Sequence, residues 1–265
     1  MAHDFAADRR IDPRIKALLE FLPDIEPSSA TTREELLAEA NTPEALEGAE
    51  TFRQFMALCD TEEAAPSAGL HISMESITSS PDGNTINLQI IRPEGDEVVP
   101  CVYYIHGGGM TNLSCFDGMY RGWGKLIAAN GVAVVMVDFR NAISPSSVPE
   151  VAPFPAGLND CVSGFHWVVD HAADLGVDPE RIVIAGESGG GNLTLATGMR
   201  LLRDGQIGKV KGLYALCPYI AGEWPQEQLV STYENNGILL DLHNNRGAMA
   251  YGIEAFDGKN PLAWP

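Results

Sequence analysis

The sequence predicts an α/β protein with a mostly parallel sheet covered by helices on both faces. Three observations carry that expectation. Four apolar runs, residues 101–105, 132–137, 182–185 and 213–217, are continuous rather than alternating, as in strands buried on both faces. Amphipathic helical patterns separate them, most clearly Leu158, Cys161, Val162, Phe165, Val168 and Val169 at i, i+3, i+4 spacing. The alternation of strand and helix implies right-handed crossovers between parallel strands.

In chain order, residues 1–62 read as helices only, an N-terminal helical cap region ahead of a core that occupies 63–265. Asp12-Pro13 starts the first helix, with Ile15, Leu18, Leu19 and Leu22 on one stripe. Thr32 and Glu35 form a capping box before Leu36 and Leu37. Thr42-Pro43 starts a third helix carrying Phe52, Phe55 and Met56 at helical spacing, a face expected in the core. From Leu70 the period changes to two, with Ile72, Met74 and Ser76, then Ile86, Leu88 and Ile90, around the turn Pro81-Asp82-Gly83-Asn84. That is an antiparallel pair at one sheet edge.

Composition narrows the function. The 265 residues are 45% hydrophobic and carry a formal net charge of −19. Nucleic acids and anionic membranes call for clustered Lys and Arg, so neither is an expected partner. Five unclustered cysteines, mostly inside apolar runs, read as buried thiols of a reducing compartment. Without a basic, apolar leader or an apolar run near the roughly 18 residues of a membrane span, a soluble cytoplasmic protein is expected. No His, Cys and Glu cluster has metal-ligand spacing.

Two glycine-rich corners carry the chemistry. Residues 182–185 end in Gly186-Glu187-Ser188-Gly189-Gly190, and Leu193, Ala196 and Met199 then mark one face of a helix. Ser188 therefore sits at a strand-to-helix corner whose neighbours two before and two after are glycines, the pattern of a nucleophile elbow. The five residues alone also fit an ordinary turn. The other corner, His106-Gly107-Gly108-Gly109-Met110, directly follows the strand ending at Ile105. Consecutive glycines let a backbone turn its N–H groups toward a ligand. A phosphate loop would need a Gly-Lys-Ser/Thr ending, which is absent. A glycine turn after the third strand and an elbow after the fifth are together the two halves of an oxyanion hole.

These two motifs, with residues 104–111, 134–142 and 186–193, resemble the hormone-sensitive-lipase-like family of α/β-hydrolases, in particular its brefeldin A esterase branch. The resemblance implies an α/β-hydrolase fold and a serine carboxylesterase acting on small to medium esters, with no cofactor. It implies Ser188 as nucleophile and the N–H groups of Gly108, Gly109 and Gly189 as the oxyanion hole. His106, Gly107, Gly186, Glu187 and Gly190 would shape the motifs. It places a second cap segment at 220–258 and suggests Met110, Phe52, Phe55, Tyr219 and Trp224 as substrate-pocket residues. A homodimer of the complete protein stays open. Many members have Asp-Ser-Ala where this chain has Glu187-Ser188-Gly189, and Leu-Ala-Pro-Glu where it has Asn141-Ala142-Ile143-Ser144.

The family order is Ser, then Asp, then His. By resemblance the last two follow two further strands, so the triad acid and base are expected after residue 265. His243 with Asp241 is the alternative within the chain, and its bland reading is a solvated surface pair. His71, His166 and His171 precede the elbow in strand or helix patterns. Two alternatives to an active esterase stand beside it: a ligand-binding protein resembling the plant gibberellin receptors, which keep the elbow and lose the histidine, and an inactive fragment. The run 213–217, apolar and free of proline, would then be an exposed strand edge.

Overall fold

A computed structural model describes residues 7–19, 28–222, 226–236, 246–253 and 260–265. Leu22, Trp224, Asp241 and His243 lie outside the described residues. Six strands, β1 Leu70–Thr78, β2 Thr85–Pro93, β3 Val99–Ile105, β4 Ala133–Asp138, β5 Val177–Glu187 and β6 Val210–Leu216, form one sheet in the order β1-β2-β4-β3-β5-β6. β1 pairs with β2 and β2 with β4 antiparallel; the β4–β3, β3–β5 and β5–β6 pairs are parallel.

The helices follow the sequence signals. α1 (Pro13–Leu19), α2 (Arg33–Ala40) and α3 (Pro43–Met56) precede the sheet, and α3 runs into a 3-10 turn, Ala57–Asp60. Thr32 accepts from the Glu35 N–H while the Glu35 carboxylate accepts from the Thr32 N–H, so the capping box forms. Two of the four N–H groups left free by a helix start are thereby satisfied. α4 (Gly118–Ala128) covers one sheet face with Tyr104, Val134, Met136 and Ile91 beneath it. α5 (Ala156–Asp170) and α6 (Gly189–Arg203) cover the other, over Leu88, Tyr103, Val135 and Ile184. Two short helices, α7 (Val230–Glu234) and α8 (Arg246–Tyr251), follow. The final residues re-enter the core, with Ala263 and Trp264 buried and the Trp264 ring edge-on to Tyr219 and Tyr251.

Several expectations change. The antiparallel pair β1–β2 lies at one sheet edge as expected, but residues 86–91 of β2 are all buried, because β2 is its inner strand, between β1 and β4, and period two gives way to two covered faces. On α3 only Met56 is buried, and Phe55 is 41% exposed, because the helix rests on α4 and the 3-10 turn through its C-terminal end. Ile15 on α1 is exposed as well. Met199 points away from the buried stripe of α6, which runs through Leu193, Ala196, Thr197 and Leu201. Cys101, Cys115 and Cys161 are buried, but Cys59 and Cys217 are exposed at turns. β6 pairs only with β5 among the described strands, and Leu213, Tyr214 and Leu216 are exposed along it.

Register is what positions the two glycine corners. Ile105 of β3 is opposite Gly186 of β5, so the residues leaving both strands at their carboxyl ends, His106 and Glu187, emerge side by side. In open α/β sheets that is where ligands bind.

Candidate active site

Ser188 occupies the corner between β5 and α6 with φ 52° and ψ −117°. A non-glycine residue in that region is strained by on the order of 1–3 kcal/mol and persists only where its surroundings fix it. Here they do. The Ser188 N–H donates to the Leu216 carbonyl (3.0 Å), and the Ser188 carbonyl accepts from Tyr219 N–H (2.8 Å) and Asn192 N–H (3.0 Å). The Asn192 side chain in turn donates to the carbonyls of Tyr219 and Ala263. Ser188 itself is half-buried, and its hydroxyl has no hydrogen-bond partner among the described residues.

Sterics explain the flanking glycines. A Cβ at Gly186 would lie 2.4 Å from the Gly190 oxygen, and one at Gly190 would lie 2.0 Å from the Ile105 oxygen. A Cβ at Gly189 would come within 2.7 Å of the Gly109 nitrogen and 2.6 Å of the Met110 nitrogen. That close approach is how the elbow and the glycine turn become one surface.

The turn after β3 is fixed through its carbonyls. The Gly108 carbonyl accepts from the Thr111 and Asn112 N–H groups, Met110 O from Ala142 N–H, and Thr111 O from Ile143 and Ser144 N–H. Gly108 (φ 92°), Gly109 (φ 61°) and Met110 (φ 62°) all take positive φ. His106 is fully buried, stacked on Phe139 with ring centres 4.2 Å apart, and its Nδ1 lies 2.9 Å from Gly107 O, which places the proton on that nitrogen. Burial holds the imidazole below its usual pKa; the Asp138 carboxylate, 3.8 Å from Nε2, opposes the shift. Asp138 is itself satisfied by Ser114 Oγ and the N–H groups of Cys115 and Ser147.

The backbone N–H groups of the two corners divide into paired and unpaired. The Gly107 N–H goes to the Tyr120 hydroxyl (2.9 Å). The N–H groups of Gly108, Gly109, Met110 and Gly189 have no acceptor among the described residues. They cluster beside the strained serine, with the start of α6 contributing the positive end of its dipole.

The remaining predicted residues divide. Met110 and Tyr219 adjoin the elbow, Met110 through Gly189 and Tyr219 through Ser188. Phe52 and Phe55 sit on α3, where Phe55 is exposed, and Trp224 lies outside the described residues. His71 is on β1 and His166 on α5, and His171, the residue that follows the last turn of α5, stacks on Trp167. Sequence reading missed Tyr120, Leu216 and Asn192. Strand pairing brings Leu216 to the corner and the direction of α4 brings Tyr120, and no local pattern encodes either; Asn192 stands one helical turn past Ser188, but its side-chain partners Tyr219 and Ala263 are distant in sequence.

A family model for the alpha/beta hydrolase fold matches residues 102–265. The solved structure of esterase Est22 is 60% identical over 98% of this chain and 76% of its own, with a TM-score of 0.93. The chain belongs to the hormone-sensitive-lipase-like α/β-hydrolases. Brefeldin A esterase, described as a bacterial homologue of human hormone-sensitive lipase, is 32% identical over 98% of this chain and 73% of its own, with a TM-score of 0.74. Carboxylesterase NlhH of Mycobacterium tuberculosis is 41% identical over 108 residues, 40% of this chain and 30% of that protein. The chain spans less than half the length of the curated relatives it matches. Among this α/β-hydrolase's described residues, no helix is long and apolar enough to cross a membrane, and no group of three His, Cys, Asp or Glu side chains could hold a metal ion.

Proposed function

We propose that this α/β-hydrolase is a serine carboxylesterase acting on small to medium esters, with Ser188 as nucleophile. The observation that carries the reading is the strained, half-buried serine beside unpaired backbone donors. Ser188 Oγ adds to the ester carbonyl as its proton passes to a base. The carbonyl oxygen, now an oxyanion, accepts from the N–H groups of Gly108, Gly109 and Gly189. Collapse expels the alcohol and leaves an acyl-serine, and water then repeats the addition and releases the acid. Because the donors are fixed before the substrate arrives, stabilising the oxyanion needs no reorganisation. Met110 and Tyr219 would line the acyl side of the site. By family resemblance the base is a histidine oriented by a carboxylate, and the described residues offer no such partner to Ser188.

The relatives support the reading. Est22 is an esterase with one structure bearing p-nitrophenol and another of an S188A mutant, whose number matches the elbow serine here. In the full-length protein, Ser188→Ala should reduce hydrolysis of p-nitrophenyl acetate to near the uncatalysed rate. Retention of more than about a tenth of wild-type turnover would reject Ser188, since losing such a nucleophile costs on the order of 10⁶ in kcat.

A further inference from the structure

Tyr120 is buried on α4, beside both glycine corners. Its hydroxyl donates to Glu187 Oε1 (2.6 Å) and accepts from the Gly107 N–H (2.9 Å). Glu187 directly precedes Ser188, and Gly107 directly precedes Gly108. Among the described residues, no other side chain hydrogen-bonds both segments 106–110 and 186–190. The fit is tight: a Cβ on Gly107 would lie 2.0 Å from Glu187 Oε1 and 2.8 Å from the Tyr120 oxygen. Both burial and the adjoining Glu187 carboxylate hold the phenol well above its ordinary pKa, so it stays a neutral donor.

The phenol is anchored at its base. Gly124 of α4 packs where a Cβ would lie 2.9 Å from Ile91 Cδ1 and Met136 Sδ, both in the sheet. Gly118 and Gly122 seat α4 against Ala57 and Cys59 of the preceding 3-10 turn, and the buried Lys125 Nζ lies 2.6 Å from Asp60 Oδ1. A rigid helix thus presents one hydroxyl to two loops that leave different strands.

We propose that Tyr120 is a positioning residue, its hydroxyl tying Glu187 to Gly107 and so holding the Gly108 and Gly109 donors in register with Ser188 and Gly189. The inference rests on the esterase reading of those groups. It also gives a role to Glu187, where this chain departs from the Asp of many relatives. Aspartate is one methylene shorter, so its carboxylate would fall about 1.5 Å short of the phenol.

The test measures kcat and KM for p-nitrophenyl acetate in the full-length protein, well below the melting temperature, with Ser188→Ala run in parallel. Misplacing reacting groups by about 1 Å costs up to about 10²-fold. Tyr120→Phe should therefore lower kcat by about 10- to 10²-fold while KM changes less than about threefold. Glu187→Gln, which keeps an acceptor for the phenol, should retain about tenfold more kcat than Glu187→Asp. Tyr120→Phe combined with Glu187→Asp should cost little more than either alone, because both break one bridge. A structural role would lower the melting temperature and leave kcat in place. If Ser188→Ala abolishes turnover while folded Tyr120→Phe keeps kcat within about twofold, the positioning inference falls and the esterase reading stands. If Ser188→Ala keeps its turnover, the esterase reading itself falls. Should Tyr120→Phe not fold, equal kcat for Glu187→Asp and Glu187→Gln overturns the inference.

Discussion

Gly108 and Gly109 are adjacent, both at positive φ, and both proposed as oxyanion donors, yet the structure predicts opposite outcomes for replacing them with alanine. A Cβ on Gly108 would lie 2.2 Å from the Asn112 carbonyl oxygen. An ordinary carbon–oxygen contact is about 3.3 Å, so the two segments must separate by roughly 1 Å. That carbonyl belongs to backbone held by the Asn112 N–H bond to Gly108 O (3.2 Å), so it cannot swing aside as a side chain would. An L-residue at φ 92° adds strain on the order of 1–3 kcal/mol. A displacement of that size disables at least one donor, and losing a donor costs on the order of 10²–10³ in kcat. Gly109→Ala differs: its Cβ would meet only Thr111 Oγ1 at 3.7 Å, an ordinary contact, at φ 61° in the left-handed helical region. That should cost about 1–2 kcal/mol of stability and leave kcat within a few-fold. Steady-state kinetics on p-nitrophenyl acetate, with thermal unfolding of each variant, compares them. A folded Gly108→Ala enzyme with wild-type kcat would refute the reasoning, and so would an equal loss in both variants.

Two further predictions rest on burial. His106 has a folded pKa held below the usual 6.5 by burial, so as pH falls the unfolded chain takes up the proton first. Its share of stability is intact above pH 6.5 and declines as pH drops through that value toward the folded pKa. Urea midpoints measured from pH 8 to 5 should fall below 6.5, and less steeply in His106→Gln; parallel curves would assign the acid sensitivity elsewhere. The exposed edge of β6, with Tyr214 59% exposed, is apolar, uncharged between Lys211 and Pro218, and unpaired on its outer side among the described residues. The 265-residue chain should self-associate at micromolar concentration, and Tyr214→Lys should shift it toward monomer on size-exclusion chromatography. A monodisperse monomer before substitution would contradict this.

How much of this could be read from residues alone depends on whether the determinant is local. The four parallel strands, the edge hairpin, the capping box at Thr32 and the two glycine corners were legible because apolar runs, turn residues and caps act within a few positions. The burial of β2 on both faces was not, since alternation reports one face only when the other meets water. Nor was the exposure of Phe55 and Met199: helical spacing names a face but not whether another element covers it. At the site, the candidate nucleophile and donors were named from sequence, and the contacts that hold them were missed. Tyr120 lies 13 residues past Gly107 and 67 before Glu187. Its role follows from the packing of α4 on β2 and β4, which brings the Tyr120 hydroxyl to Gly107 and Glu187 and which no spacing in the chain encodes.

A Ser188 nucleophile prepared by backbone strain and free N–H donors should react with electrophiles that mimic the tetrahedral oxyanion. Covalent capture tests it most directly. The full-length protein would be treated with a fluorophosphonate, whose phosphonyl oxygen occupies the oxyanion position, and digested for peptide mass spectrometry. One stoichiometric adduct on the Ser188 peptide is expected, absent in Ser188→Ala and formed at least about 10²-fold more slowly in Gly108→Ala. An adduct on another serine, or labelling of Ser188 at a rate indifferent to Gly108, would contradict it.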